Sequence, residues 1–367
     1  SVKVYDQSSS RTKGNILSKE FYLRNGPPEI LSLDLGENTR TEGGYIISIY
    51  GLNFGRLFGN GLVLIGGGIA SVISRQHRVI HILAAEGQGK GQQIFVQINN
   101  ETSKAFPSTF DYSPPYISSL LCPPEFSHGL PTSGTYNNGS RVRVSLLGDN
   151  FGVGRDITIF FGEEDEGMVA TDLIVQHTEV QLLVPPGEGQ NLSVTIRVSN
   201  QTGTSKSIFS VQYLKPEIVS IYPANIDIGF PTSGCQKFEK YILAPAIGVV
   251  CKEPALIVVS GKNFGRPGKN VLEINDATGK SREASIRNST HYEIIAELPQ
   301  GVGATRAMVK GTGAKVGEFT LNSNSEWFNY ESPILIGVVF GPTLETAIVT
   351  NTFDAQGGRK TNSRLFF

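Results

Sequence analysis

The residues of this chain with the most definable chemistry are its three cysteines. Cys235 and Cys251 bracket 15 residues, and a disulfide closing such a loop would stabilise the fold by about 3 kcal/mol in the chain-entropy model. An extracellular location favours this bridge, whereas a reducing compartment would leave two thiols. Cys122 lies in a Leu-Cys-Pro-Pro loop and is interpreted as a buried or unbridged thiol, with a bond to a partner as the alternative.

Asparagines in five Asn-x-Ser/Thr sequons form a second group, because they would accept N-glycans in a secreted chain. All five fall in predicted turns or at strand edges, where an acceptor is accessible. Asn100 and Asn200 occupy the same loop of successive repeats, so equivalent glycans are expected on both. The five sequon asparagines are Asn100, Asn138, Asn191, Asn200 and Asn288.

Three further groups suggest ligand chemistry, and each has a plainer interpretation. His77 and His81 would form a metal pair on a helix, but the apolar residues around them predict a strand. The acidic run 163–166 lacks the alternating spacing of a calcium loop and predicts a solvated hairpin tip. Gly66 to Gly68 precede neither a helix nor Lys-Ser/Thr, which argues against a phosphate loop. The sequence holds no catalytic motif, so we expect no enzyme activity, metal or cofactor.

The composition predicts several β-rich domains without a nucleic-acid surface. A chain of 367 residues has room for several domains. Its 42 glycines, 19 prolines and 18% charged residues fit short strands joined by many turns. The net charge of −1 argues against DNA or RNA as a partner. No apolar stretch approaches the roughly 18–20 residues of a membrane span, and without a signal peptide a secreted chain would be a mature or excised segment.

The phrase Gly-x-Asn-Phe-Gly occurs three times, at spacings of 97 and 113 residues, and organises the chain. Each copy closes one apolar run and is followed by another. Because glycine and asparagine tolerate positive φ, the phrase predicts a tight turn leaving a strand, with its phenylalanine plugging a core. The copies comprise Gly51, Asn53, Phe54 and Gly55; Gly148, Asn150, Phe151 and Gly152; and Gly261, Asn263, Phe264 and Gly265.

Other phrases recur in the same register. A Pro-x-Ile opening and a small-residue step such as Pro131-Thr-Ser-Gly134 precede each turn, and each unit ends in a tyrosine three residues before proline (Tyr112, Tyr213 and Tyr330). This set resembles the IPT/TIG family of immunoglobulin-like domains, found in plexins and some transcription factors. The resemblance covers nearly the whole chain. It implies an all-β fold of tandem immunoglobulin-like sandwiches, each with about seven strands in two sheets.

The register of the phrases divides the chain into three complete units and two partial ones. Residues 1–26 are interpreted as the C-terminal strands of a preceding repeat, and residues 332–367 as the start of a further repeat. The insertion between Cys235 and Cys251 belongs to the third complete unit. Repeats 1, 2 and 3 are assigned to residues 27–113, 114–214 and 215–331.

The resemblance and the missing catalytic motifs predict a non-enzymatic extracellular or cell-surface protein. We expect a segment of a long array that forms a stalk or filament and presents N-linked glycans. Its expected partners are other copies of the same chain or other cell-surface or filament proteins. A receptor ectodomain for cell–cell recognition is the alternative. DNA-binding and carbohydrate-enzyme accessory modules use related folds, but net charge and sequons speak against the first, and the second needs a catalytic domain elsewhere.

Overall fold

The computed structural model describes residues 26–36, 38–56, 61–243, 246–276, 279–311 and 321–332, and its regular elements are nearly all antiparallel strands. The predicted partial repeats at 1–26 and 332–367 lie outside this range except for Gly26 and Ser332. Within the described residues, no helix has the length and apolar character to cross a bilayer. The predicted all-β class of immunoglobulin-like sandwiches is confirmed.

Repeat 1 consists of seven strands in one continuous antiparallel sheet, in the order β1-β2-β5-β4-β3-β6-β7. Strand β4 pairs with β3 and with β5, so it connects the two halves of the sheet around a shared core. The strands are β1 (Glu29–Asp34), β2 (Ile46–Leu52), β3 (Gly61–Ile65), β4 (Gly68–Arg75), β5 (Val79–Leu83), β6 (Ile94–Ile98) and β7 (Glu101–Thr102).

Repeat 2 has seven strands in the two separate sheets that the resemblance implies. One sheet has the order β11-β12-β9-β8 and the other β10-β13-β14. Short 3₁₀ turns lie at Pro124–Phe126 and Glu164–Glu166. The strands are β8 (Tyr116–Leu121), β9 (Arg143–Asp149), β10 (Ile157–Phe161), β11 (Thr171–Val175), β12 (Glu179–Leu183), β13 (Val194–Val198) and β14 (Gln201–Thr204).

Repeat 3 adds a two-stranded ribbon to two four-stranded sheets, ordered β15-β18-β22-β21 and β20-β19-β23-β24. The strands of the two sheets contribute to a third separate core. The strands are β15 (Glu217–Pro223), β16 (Cys235–Leu243), β17 (Ala246–Pro254), β18 (Leu256–Lys262), β19 (Asn270–Asn275), β20 (Ser281–Ala284), β21 (Ile286–Ser289), β22 (Glu293–Glu297), β23 (Ala304–Gly311) and β24 (Leu321–Asn329).

The insertion of repeat 3 forms the ribbon β16–β17, where the sequence predicted only a loop. Its strands pair antiparallel, and the disulfide between Cys235 and Cys251 is present, with the two Cα atoms 5.8 Å apart. Cys235 is buried, whereas Cys251 is exposed. The bridge therefore cross-links the two strands of the ribbon near its base.

The three Gly-x-Asn-Phe-Gly turns adopt the predicted conformation, as repeat 2 illustrates. Asn150 and Gly152 have φ of 61° and 79°, and Phe151 is fully buried. Gly148 is required for a different reason: a Cβ there would lie 1.9 Å from the carbonyl oxygen of Tyr116 and 2.6 Å from Cζ of Phe151. The first glycine thus allows close approach, while the asparagine and second glycine supply positive φ. Phe54 and Phe264 are equally buried.

The tyrosine near the end of each repeat binds the loop that follows β5, β12 or β22 in the same repeat. The hydroxyl of Tyr213 donates to the carbonyl oxygen of Pro185 at 2.9 Å, and its ring fills the space that a Cβ on Gly187 would need. Burial raises the pKa of this phenol above its ordinary value. Tyr112 and Tyr330 make the equivalent bonds to Ala85 and Pro299.

Candidate functional site

Consecutive repeats meet at two surfaces, which we call joint 1–2 (repeats 1 and 2) and joint 2–3 (repeats 2 and 3). Each joint combines a threonine from the small-residue step of the earlier repeat with an asparagine and a histidine of the later repeat. The asparagine belongs to the Gly-x-Asn-Phe-Gly turn. The histidine lies three residues before the first buried residue of the strand that follows it, Val180 in repeat 2 and Ile294 in repeat 3.

Thr41 is the centre of joint 1–2. Its backbone N–H donates to Oδ1 of Asn150 at 3.3 Å, and its hydroxyl lies 2.9 Å from Nδ1 of His177. The threonine is only 1% exposed. A carboxylate oxygen of Glu86 lies 3.7 Å from Nε2 of the same histidine. The joint therefore satisfies a backbone donor and a hydroxyl that it removes from water.

Thr132 takes the same place in joint 2–3. Its N–H donates to Oδ1 of Asn263 at 3.4 Å, and its hydroxyl lies 3.0 Å from Nδ1 of His291. It is 2% exposed. Beside it, the hydroxyl of Tyr292 donates to Oγ of Ser133 at 3.0 Å. The two joints therefore use the same combination of residue types, although they are formed by different parts of the chain.

The local fold explains why the asparagine and histidine reach the preceding repeat together. The N–H of Phe151 donates to the carbonyl of His177 at 2.9 Å, which holds the histidine beside the turn. The Nδ2 group of Asn150 donates to the linker carbonyl of Pro114 at 3.3 Å, while its Oδ1 faces Thr41. One amide therefore binds both the linker and the preceding repeat.

The rest of joint 1–2 is held by neutral groups. Oε1 of Gln88 accepts the N–H of Val153 at 2.9 Å, and its Nε2 donates to Oγ of Ser199 at 2.9 Å. The buried Gln201 donates from Nε2 to the carbonyl of Tyr112 at 2.7 Å. These bonds connect the last loops of repeat 1 to the first turn and hairpin of repeat 2.

Joint 2–3 uses an ion pair at the position of Gln88 and Val153. Glu188 follows Gly187 as Gln88 follows Gly87, and Arg266 follows the turn glycine as Val153 does. Glu188 accepts the backbone N–H of Arg266 at 3.0 Å, its Nε at 3.0 Å and its Nη2 at 2.7 Å. The carboxylate is 5% exposed. Such a buried pair depends on both partners.

His291 should make joint 2–3 weaker in acid. Burial lowers the pKa of His291, with Glu188 acting in the opposite direction and Arg266 in the same direction. The folded protein therefore binds fewer protons here than the unfolded chain, so this contribution to the free energy of unfolding falls as pH drops through about 6.5. Unfolding measured across that range should show the loss, and the variant His291→Gln should show less of it. An NMR titration placing the pKa of His291 above its usual value would contradict the prediction.

Asn200, a predicted glycan acceptor, lies within joint 1–2. Its Oδ1 accepts the N–H of Lys90 at 2.8 Å, and its Nδ2 donates to the carbonyl of Lys90 at 3.4 Å. This two-point pairing uses the Nδ2 hydrogen on the same side as Oδ1. A glycosylated amide is secondary and trans, so the sugar would take that hydrogen's place. A glycan on Asn200 and this closed pairing therefore exclude one another.

In protein with joint 1–2 closed, we expect Asn200 to be unmodified, although its sequon is intact. Glycopeptide mass spectrometry of secreted protein measures its occupancy, and Asn138 provides the control, because its Oδ1 only accepts from Ser140 in its own turn. Full occupancy of Asn200 together with a closed joint would contradict the prediction. The prediction of equivalent glycans on Asn100 and Asn200 came from the repeat register alone and is untested, and the pairing with Lys90 argues against it at Asn200.

The remaining sequons lie in exposed positions. Asn138 and Asn191 are in loops, the latter with φ of 54°, and Asn288 is on β21. Asn100 occupies the turn between β6 and β7, the place of Asn200 in repeat 2. All five sequon asparagines have exposed side chains.

The other residues that the sequence suggested as ligand sites lie in ordinary strand and turn positions. Nδ1 of His81 lies 2.9 Å from Oγ of Ser48 on the outer face of a strand pair, as a strand histidine should. In the acidic run, Glu164 pairs with Arg197 at 2.6 Å. Gly66 and Gly67 form the turn between β3 and β4, as their positive φ values allow. Among the described residues, no cluster of three His, Cys, Asp or Glu could hold a metal ion.

Cys122 is half-buried and forms no disulfide with a described residue of this chain. It packs against the edge of the repeat 2 core, and burial raises the pKa of its thiol. Because the thiolate is the nucleophile, a raised pKa makes this cysteine slow to react.

A cleft of about 520 Å³ opens beside joint 2–3 and is lined by several amide side chains. Gln212 donates to the carbonyl of His128 at 2.8 Å, and Asn324 pairs with both backbone groups of Ile218 at 2.7 and 2.9 Å. Asn263 already accepts from Thr132. Of these bonds, only that of Asn263 crosses the joint, whereas those of Gln212 and Asn324 lie within repeat 2 and repeat 3.

Sequence reasoning missed the threonine–histidine pairs. The threonines stood in the repeated small-residue step, and the signal for the histidines was available: His77, His177 and His291 occupy one register position and are three of the five histidines. Aligning histidines across the repeats would have marked them as repeat-specific residues. It would not have shown that they contact the preceding repeat.

One protein-family model matches part of this chain. Residues 124–213 match the family model described as IPT/TIG domain. A search of curated proteins gave no match. Among solved structures, the plexin A4 extracellular region is 16% identical, with 84% of this chain and 23% of the plexin covered and a TM-score of 0.26. The surface glycan-binding protein PbSGBP-B from Prevotella bryantii is 12% identical, with 69% of this chain and 66% of that protein covered and a TM-score of 0.33.

A tetra-tandem repeat from the extending region of a large adhesion protein is 11% identical, with 83% and 74% coverage and a TM-score of 0.26. This chain thus spans under a quarter of the plexin chain, and these similarities concern the fold alone. Repeats 1 and 3 share the buried phenylalanine and the anchored tyrosine of the matched unit. Residues 124–213 are therefore identified as an IPT/TIG domain.

Proposed function

We propose that the chain is a non-enzymatic extracellular structural or adhesion segment whose joints fix consecutive repeats against one another. The observation that carries this proposal is that both joints use the same set of a buried threonine, an asparagine and a histidine. Bending either joint would expose these groups to water or leave them without hydrogen-bond partners. Each lost hydrogen bond costs about 0.5–1.5 kcal/mol. An array of such units holds a defined spacing between its ends, as a stalk or filament requires.

The surface of the repeats supports lateral contacts and glycans in this proposal. Asn138, Asn191 and Asn288 would carry N-glycans, since their exposed side chains lie outside both joints. Asn288 is on β21, an edge strand of its sheet, so a glycan there would cover an edge that could otherwise pair with another chain. The partners would be other copies of the chain or other cell-surface proteins. A receptor ectodomain is the alternative.

The test is the distance between repeats 1 and 3 in solution. Spin labels on cysteines replacing the exposed Lys104 and Lys280, in a Cys122→Ser background, should give one narrow distance distribution. A variant with a Gly-Ser extension between Ser113 and Pro114 is the flexible control. A distribution as broad as that control would overturn the proposal. Electron microscopy of native protein then separates a stalk or filament from a receptor ectodomain, which would give separate, non-polymeric particles.

A further inference from the structure

Repeat 1 carries, at its N-terminal end, the residues that repeats 2 and 3 use in their joints. We define the N-terminal face of repeat 1 as Asn53, Arg56, His77 and Asn100. Asn53 and His77 correspond to the asparagine and histidine of both joints. Arg56 corresponds to Arg266, and Asn100 to Asn200. All four side chains are exposed.

The last glycine of each Gly-x-Asn-Phe-Gly turn shows that this face is built like the others but is covered by none of the described residues. A Cβ on Gly152 would meet Oε1 of Gln88 at 2.5 Å, and one on Gly265 would meet Cβ of Glu188 at 3.4 Å. In both cases the neighbour belongs to the preceding repeat. A Cβ on Gly55 would meet nothing within 4 Å among the described residues.

We propose that this face binds the C-terminal end of another unit of the same fold, joined ahead of Pro27 and carrying a threonine and a carboxylate. The threonine would match Thr132 and the carboxylate Glu188. The inference rests on the proposed function, because it extends the same joint to a third position. It goes further by specifying which residues the occupant must carry.

The threonine requirement follows from Asn53 and His77. Nδ2 of Asn53 already donates to the linker carbonyl of Pro27 at 3.0 Å, as Asn150 does to Pro114. Its Oδ1 is then placed to accept a backbone N–H, as Asn150 accepts from Thr41. The N–H of Phe54 donates to the carbonyl of His77 at 3.2 Å, so the histidine has the same tether as in repeat 2.

The carboxylate requirement follows from Arg56. In joint 2–3 an arginine at this position meets Glu188, whereas in joint 1–2 a valine meets the neutral Gln88. The carbonyl of Arg56 accepts Nε and Nη2 of Arg75 at 3.0 and 2.6 Å, which fixes the backbone at this position. An arginine held in this way favours a carboxylate, which can accept from its N–H and its guanidinium together.

The end of repeat 3 in a second copy does not fit this requirement. Thr232 is present and only half-buried, but Val302 follows Gly301 where Glu188 follows Gly187. A valine side chain offers no acceptor to Arg56. Charge matching therefore favours a different unit as the occupant over head-to-tail association of identical chains.

The experiment supplies an occupant of known composition. Residues 114–215 are joined directly to Pro28 of the chain, so that a second copy of repeat 2 presents Thr132 and Glu188 to the face. The core of this unit lies within residues 117–213, so the added copy brings its complete core with it. Spin labels in the added unit and repeat 1 report the new joint, and a second pair across joint 2–3 reports the proposed function independently.

We expect a narrow distance distribution at the new joint, its loss with Arg56→Glu, and its recovery when Glu188→Arg is added in the new unit. The control Lys206→Glu in the original repeat 2 makes the same charge change at an exposed site and should have no effect. A new joint that stays broad while joint 2–3 is narrow would overturn this inference alone. A native N-glycan on Asn100 would also overturn it, because the sugar would occupy the place of the added unit.

Discussion

Replacing Phe151 with alanine should destabilise repeat 2 by about 3–5 kcal/mol, the range for truncating a buried aromatic side chain. Phe151 is fully buried among residues of both sheets, and its ring fills the space that the missing Cβ of Gly148 leaves. Single domains are stable by only about 5–15 kcal/mol, so the variant should lose a large part of its margin.

The matched control is Phe126→Ala in the same repeat. Phe126 is half-buried at the edge of this core, where its ring packs at a tilt against Tyr136 with ring centroids 5.2 Å apart. The same truncation should cost less there, since solvent already reaches the ring. Chemical denaturation would compare the two variants. Equal losses would argue that the phenylalanine is not the plug of the fold. Repeats 1 and 3 have separate cores and should unfold as before.

The features predicted from sequence are those that local chemistry and repetition determine together. A positive φ at Asn53, Asn150 and Asn263 favours asparagine or glycine, so the residue types themselves indicate the turn. The three copies of this phrase then distinguish it from a chance match. The disulfide was predictable for a related reason, because its two cysteines bracket one extra segment in an otherwise repeated unit.

The joints could not be predicted because they depend on contacts between distant residues. Thr41 and His177 are 136 residues apart, and Thr132 and His291 are 159 apart. Each residue type is common at a surface, and nothing within one repeat indicates which neighbour it meets. The β16–β17 ribbon was missed for a different reason: its flanking cysteines suggested a closed loop, and the pairing of its strands follows no repeat.

The two sequons at equivalent positions show the same limit. The repeat register correctly places Asn100 and Asn200 in one hairpin turn. Asn200 nevertheless pairs with Lys90 of the preceding repeat, and the structure describes no corresponding neighbour for Asn100. Sequence equivalence therefore does not imply equal access for a modifying enzyme. Access depends on which unit precedes each repeat.

Joint 2–3 should open when Arg266 is replaced by alanine. If the joint stayed closed, Glu188 would be left buried without its partner, at a cost of about 3–5 kcal/mol. Opening the joint returns the carboxylate to water, so the actual cost cannot exceed the free energy of opening. We therefore expect repeats 2 and 3 to stay folded while the distance distribution between labels at positions 206 and 280 broadens. The control Arg143→Ala removes an exposed pair with Asp172 and should change stability by at most about 1 kcal/mol.

A second variant tests whether joint 2–3 needs the charges of Glu188 and Arg266 or only a hydrogen-bonded pair at these two positions. Glu188→Gln combined with Arg266→Val copies the neutral pair of joint 1–2, in which Gln88 accepts the N–H of Val153 at 2.9 Å. Because the buried group is then uncharged and its acceptor still has a backbone donor, the narrow distribution should return. A narrow distribution in Arg266→Ala alone would show that the ion pair does not hold the joint. A broad one in the neutral double variant would show that the two joints, despite their common threonine, asparagine and histidine, are stabilised by different interactions.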